Sequence, residues 1–287
     1  MMEKIYKKAP LPFQGQKRAF LNKFIELIGE LPDSSLVVDL FGGSGLLSHT
    51  VKRVKPSVRV IYNDYDNYCE RLHNVSQTNN LLSKLRERMQ GYTPEKALSV
   101  NLKSEIIQII QKHEQIHGYI DYLTLSNSLL FSMRYVHNFC ELVKCTFYNK
   151  IVSSEYVVDG YLDGLEIESQ DYRAIFNKYK KETNVYFLLD PPYLSTDVSS
   201  YKNVSKYWHL SDYLDVLDLL TGVKYVYFSS EKSTIIELCQ WLGDRYPTIK
   251  NPFKGSTVVK RKNSIPNRAE YQDIMVSNIN TPAKIYH

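Results

Sequence analysis

The stretch FLLDPPY, residues 187–193, ends an apolar run in an acid, two prolines and an aromatic ring. Asp190 is a hydrogen-bond acceptor left at the tip of a strand. Pro191 and Pro192 fix their own backbone angles and restrict the residues before them, so the carbonyls there are held rigidly. Tyr193 offers a flat face on which a planar ring can stack. A second stretch, VVDLFGGSGLL at 37–47, runs a strand into a glycine turn that opens a helix. Gly43 and Gly45 leave a backbone that a ligand can approach closely, as in nucleotide-holding loops. Asp64 closes the next strand, about 20 residues on, where a carboxylate accepts hydrogen bonds from ribose hydroxyls. Together these imply an adenosine-containing cofactor. Asp39 stands just ahead of the glycines, a poor neighbour for a pyrophosphate and a good one for a cation. The order Asp39, Phe41, Gly43, Gly45 therefore favours S-adenosyl-L-methionine, with its ammonium and sulfonium, over a dinucleotide.

These residues need a scaffold that brings two strand ends together. Short strand-like runs, most of them apolar on both faces, occur at 35–41, 58–63, 164–169, 184–190 and 223–229, separated by amphipathic stretches at 45–55, 66–80, 171–181 and 211–221. Such alternation predicts an α/β fold in which helices cover both faces of a parallel sheet. The glycine loop then follows the first strand and Asp190 the fourth, at the carboxyl edge where doubly wound sheets bind ligands. The interval from Asn79 to about Leu162 breaks the rhythm, because a βα unit takes about 30 residues and this one is far longer. It reads as an inserted, mainly helical domain over 81–162. Near the end, STVVKRK and EYQDIMVSN read as two strands that close the sheet edge as a hairpin.

Composition is that of a folded protein: 43% hydrophobic and 23% charged across 287 residues. No apolar run reaches the roughly 18 residues of a membrane span, and the start lacks the apolar core of a secretory signal. The expected location is cytoplasmic. Cys69, Cys140, Cys145 and Cys239 form no C-x-x-C pair and read as reduced thiols. The net charge of +5 suits an anionic partner. More telling is the acid-free run of Arg245, Lys250, Lys254, Lys260, Arg261, Lys262 and Arg268, an excess of the kind that neutralises phosphates. HEQIH, from His113 to His117, fits the H-E-x-x-H zinc pattern, with Glu141 as a conceivable third ligand. Gly118 ends that helix at once, so a solvated helix face is expected there and no metal.

Three blocks in this order, PFQGQKRAFLNKFI, DLFGGSG and DPPY, resemble the Dam-like (D12 class) DNA adenine N6 methyltransferases. YNDYD, IESQDYRAIF and RAEYQDIMVSN are weaker matches, and the resemblance covers roughly residues 10–80 and 160–280. It implies a Rossmann-like doubly wound sheet of the class I methyltransferase type, with 1–80 and 163–287 as catalytic domain and 81–162 as target-recognition domain. It assigns Lys17 to the cofactor's carboxylate, Asp64 to its ribose, Asp171 to its adenine amino group and Tyr172 to the face of its base. Phe13 stands where the family usually has Trp, and Gln16 where it has Gly.

An adenine amino group is a poor nucleophile because its lone pair is delocalised into the ring. Asp190 and the Pro191 carbonyl would accept its two hydrogens and turn the lone pair toward the methyl group, an in-line displacement governed by orientation. Tyr193 would stack on the target base, which must leave the duplex to be reached. The implied partner is double-stranded DNA, bound by a monomer, with a cognate restriction endonuclease as a further partner of the same system. The insertion is the only room for DNA reading. Arg134 and Asn138 are its candidate readers, alongside Asn127, His137 and Asn149, while Lys254, Lys260, Arg261 and Lys262 would meet phosphates. The segment STDVSSY after DPPY is expected to border the same pocket. Two rival readings stand beside this one: transfer to another planar amine or amide, in cytosine, RNA or protein, and a DNA-binding module that keeps only the fold.

Overall fold

The computed structural model describes residues 5–93, 96–131, 134–193, 208–246, 248–263 and 271–279. Seven strands make one sheet: β1 Leu36–Asp39, β2 Arg59–Asn63, β3 Glu166–Glu168, β4 Val185–Leu189, β5 Lys224–Ser230, β6 Thr257–Asn263 and β7 Tyr271–Ser277. Their order is β3-β2-β1-β4-β5-β7-β6. β1 to β5 pair in parallel, and β7 enters antiparallel between β5 and β6. The five internal strands and the terminal hairpin lie where the sequence places them.

Alternate residues of β1, β2, β4 and β5 feed two separate cores, which is why these runs are apolar on both faces, whereas β3 at the sheet edge is largely exposed. Val38, Ile61, Phe187 and Tyr225 pack with α8 Tyr172–Tyr179 and α9 Leu210–Leu219. Their neighbours Val37, Val60, Leu188 and Val226 pack with α1 Leu21–Gly29 and α2 Leu46–Val54 on the other face. Truncating a fully buried ring such as Phe187 would cost about 3–5 kcal/mol. Chain order reverses between β1 and β4, so the connections leaving these neighbours diverge to opposite faces and open a crevice at their carboxyl ends.

The helix expected over 66–80 is two helices, α3 Tyr68–His73 and α4 Val75–Arg88, which meet at Asn74. α4 runs on past residue 81 and packs against α5 Val100–His117. With α6 Tyr122–Leu129 and α7 Phe139–Val143 these helices enclose a third core around Leu85, Ile106, Ile110, Leu125, Leu142 and Phe147. α1 and a tenth helix, α10 Ile235–Arg245, are additions to the sequence reading. Among the described residues, no helix is long and apolar enough to cross a membrane.

Candidate active site

A cavity of about 720 Å³ opens at the crevice between β1 and β4. Its walls include the segment Phe13–Lys17, the glycine loop Leu40–Ser44, the start of α8, Asp190 with Pro192, and residues after β2 and around Trp208. Gly43 takes φ +50°, and a Cβ there would press on the Phe13 ring at 3.1 Å, so the loop needs glycine for both backbone and space. Gly15 takes φ +80° whereas Gln16 has no such requirement. Gln16 instead stitches its own segment, accepting from the Ala9 N–H at 2.9 Å and donating to the Phe13 carbonyl at 3.2 Å.

Beneath the glycine loop Asp39 is 1% exposed. One of its oxygens accepts from Ser48 Oγ at 2.7 Å, while Oδ1 lacks a hydrogen-bond partner among the described residues. Burial is the main cause that pushes its carboxyl up to about 7, Asp190 adds to the rise, and Ser48 opposes it. A buried carboxyl with an orphaned oxygen fits the cationic end of S-adenosyl-L-methionine.

Asp190 lies just past β4 and pairs with Lys17 Nζ at 2.6 Å. Burial raises its pKa and the Lys17 ammonium pulls it back. Lys17 is 7% exposed; it also donates to the Gly15 carbonyl at 2.5 Å and lies 5.1 Å from the centre of the Tyr193 ring. Pro192 lines the cavity, whereas Pro191 is buried behind it.

Also on the wall, the rings of Phe41 and Tyr172 lie 4.9 Å apart, and Trp208 stacks on Tyr172 at 5.8 Å. This packed aromatic cluster gives the cavity a wall on which a flat purine can lie. Asp171 caps α8 by accepting from the Arg173 N–H at 2.8 Å and lines the cavity beside Arg173, His209 and Asp212. Trp208 escaped sequence reasoning because it ends a stretch without helical or strand periodicity.

Other expected residues lie elsewhere. Asp64 is not in the cavity wall. Its carboxylate accepts from the Tyr68 N–H at 2.6 Å, the Cys69 N–H at 3.0 Å and the Tyr62 hydroxyl at 3.1 Å, which ties it to the start of α3. Tyr65 and Asp66 line the cavity in its place. Gly45 also stands behind the wall, next to Leu162. Asn138 caps α7: its Oδ1 accepts from the Glu141 N–H at 2.9 Å and its Nδ2 donates to Glu141 Oε1 at 2.8 Å. Arg134 is exposed on the insertion.

Lys260, Arg261 and Lys262 climb the outermost strand, β6, toward the carboxyl edge, and Lys254 precedes that strand at the opposite edge. Arg268 and the STDVSSY segment lie outside the described residues. In HEQIH, His113 is 2% exposed and belongs to the inner face of α5, which corrects the expectation of a wholly solvated face. Glu141 is engaged in its capping role, and among the described residues no group of three or more His, Cys, Asp or Glu could hold a metal ion.

A mainly parallel sheet with a glycine loop at β1, a buried acid beneath it and an aromatic wall beside it is the arrangement of an S-adenosyl-L-methionine-dependent methyltransferase. The chain matches the model of the D12 class N6 adenine-specific DNA methyltransferases over residues 13–215, and it belongs to that family. It is 38% identical over 283 residues to a Haemophilus influenzae protein named "Putative methyltransferase", covering 96% of this chain and 93% of the other. Among solved structures it is similar to the C-terminal domain of precorrin-6Y C5,15-methyltransferase from Rhodobacter capsulatus, at 10% identity and a TM-score of 0.36, covering 96% of this chain and 98% of that one. An rRNA methylase from Streptococcus thermophilus aligns at 13% identity and a TM-score of 0.32, covering 90% and 96%.

Proposed function

We propose that the chain transfers a methyl group to N6 of an adenine turned out of duplex DNA, with Asp190 and the Pro191 carbonyl orienting the amino group. The observation that carries this reading is that one cavity is lined both by Asp190 and by the Phe41, Tyr172 and Trp208 rings. S-adenosyl-L-methionine, when bound, supplies the electrophilic methyl group and its own positive charge. Asp39 would hold its ammonium, and Asp171 and Tyr172 its adenine. Asp64, anchored at the start of α3, supports the cavity from behind, and Asp66 is the acid at hand for the ribose.

Lys17 serves both ends. One N–H holds the Gly15 carbonyl, a second holds Asp190 in its acceptor form, and the third is left for a ligand carboxylate. Asp190 then needs no strong basicity: it accepts one amino hydrogen while the rigid proline carbonyl accepts the other, and the nitrogen lone pair is localised. Tyr193, beside Lys17, supplies the stacking face.

DNA is read by the insertion. Phe131 is 68% exposed on it, an apolar ring of the kind that fills a gap left by an unstacked base, and Arg134 follows three residues later. Lys260, Arg261 and Lys262 on the edge strand suit the flanking phosphates. The test is methyl transfer to unmethylated DNA followed by nucleoside analysis. N6-methyladenine is expected; methyl groups on cytosine, RNA or protein alone would overturn the reading. Asp190→Ala should lower transfer by about 10²-fold or more while leaving cofactor binding in place.

A further inference from the structure

One buried arginine joins three segments that the chemistry needs in register. Arg71 on α3 is 6% exposed. Its Nε donates to both carboxylate oxygens of Asp121 at 3.1 Å, and Asp121 is the residue that caps α6 of the insertion. Its Nη2 donates to the Pro12 carbonyl at 2.8 Å and reaches Thr124 Oγ1 at 3.3 Å. Tyr68, one turn earlier on α3, lies under the guanidinium at 5.1 Å and exchanges hydrogen bonds with the main chain of Leu11. Pro12 leads directly into Phe13–Lys17, the segment that walls the cavity and carries the partner of Asp190.

Stability alone does not account for this arrangement. A buried ion pair contributes little net free energy over apolar residues of the same volume, because desolvation offsets the attraction. Arg71 Nη1 is moreover buried with no acceptor among the described residues. What an apolar replacement could not do is hold the Pro12 carbonyl and the Asp121 carboxylate at once.

We propose that Arg71 is a positioning residue that makes cofactor binding depend on the placement of the insertion. It sets the Phe13–Lys17 segment through Pro12 and takes its own position from α6 through Asp121. Where the insertion holds DNA, which rests on the function proposed above, cofactor and DNA then change each other's affinity by the same factor.

The test uses the intact chain with S-adenosyl-L-methionine as the probe. Neither Arg71 nor Asp121 lines the cavity. Asp121→Asn should nevertheless weaken cofactor binding about fivefold by calorimetry, and raise KM for the cofactor far more than it lowers kcat. The double variant Arg71→Met with Asp121→Leu separates positioning from stability. Its melting temperature should return toward that of the parent, while cofactor affinity stays about fivefold weaker, because the Pro12 carbonyl has lost its donor. Recovery of both together, or a lowered melting temperature in Asp121→Asn with unchanged affinity, would overturn the proposal. Methyl transfer by the parent protein to DNA, measured alongside, tests the functional reading separately, since the affinity pattern needs no DNA.

Discussion

The protonation of Asp39 should be visible in cofactor binding. In the free protein its carboxyl is held up to about 7, burial being the leading cause. Pairing with the cofactor's ammonium requires the carboxylate, whereas the amino group itself stays protonated below about pH 7.7. Binding must therefore expel a proton from whatever fraction of Asp39 carries one. For a group of pKa about 7 this amounts to roughly half a proton per cofactor at pH 7, and affinity should fall about fivefold from pH 7 to pH 6 and about ninefold more to pH 5. Calorimetry in two buffers of different ionisation enthalpy measures the proton directly. Asp39→Asn should remove the release, flatten the profile and weaken binding by about tenfold or more at pH 7.5, the loss of a charge-assisted hydrogen bond. An affinity independent of pH between 6 and 7.5, or an unchanged pH dependence in Asp39→Asn, would refute the reasoning.

Lys17→Met should raise the pKa of Asp190, whose burial is then unopposed, and move the acidic limb of the pH–rate profile toward higher pH; an unmoved limb argues against the pairing. Removing the Trp208 ring from the aromatic wall should cost about tenfold in cofactor affinity in Trp208→Ala, and Trp208→Phe should lose the tryptophan fluorescence change on binding while Trp241 still emits. A full signal in Trp208→Phe would place the cofactor elsewhere. The buried His113 has its pKa lowered to about 4 by burial, so the unfolded chain takes up its proton first. The stability it contributes is whole above about pH 6.5 and is lost as pH falls, by about 2 kcal/mol between pH 7 and pH 5. His113→Met should remove that part of the slope in urea unfolding at the two pH values, and an identical slope would contradict the assignment.

The sheet was legible because β1, β2, β4 and β5 are apolar on two faces, a pattern that has few other uses in a chain with helices between. The glycine loop and Asp190 were legible for the same reason: their positions follow from strand ends. Which acid after β2 faces the cavity was not. Asn67 takes φ +55° and turns the chain so that the first N–H groups of α3 point back at Asp64, and that backbone reversal engages Asp64 and leaves Asp66 on the wall. Two other placements had signals that could have been used. Asn138 followed three residues later by Glu141 is the pattern of a helix cap. His113 continues the 102, 106, 110 spacing of the apolar stripe of α5, so its burial follows from period. The split at Asn74 and the place of Trp208 depend on tertiary packing, and no local pattern announces them.

The charges in and behind the cavity wall form an ordered set. Asp39 and Asp190 follow or end neighbouring strands, and each raises the cost of ionising the other. Burial favours the protonated form of both acids, and a protonated Asp190 would present a donor to a target amino group that needs acceptors. Two cations would oppose this, one from the chain and one from the ligand. Lys17 favours the ionised form of Asp190, and the ammonium of a bound cofactor would do the same for Asp39. An ionised Asp39 in turn works against Asp190, so the complex depends on Lys17 more than the free protein does. The Phe13–Lys17 segment must accordingly be in place whenever the cofactor is. That segment has no helix or strand of its own before residue 18, and it is held by Gln16 within, by Tyr68 at Leu11 and by Arg71 at Pro12. The electrostatics at Asp190 thus depend on a loop anchored from α3, which is why residues outside the cavity wall belong to the chemistry inside it.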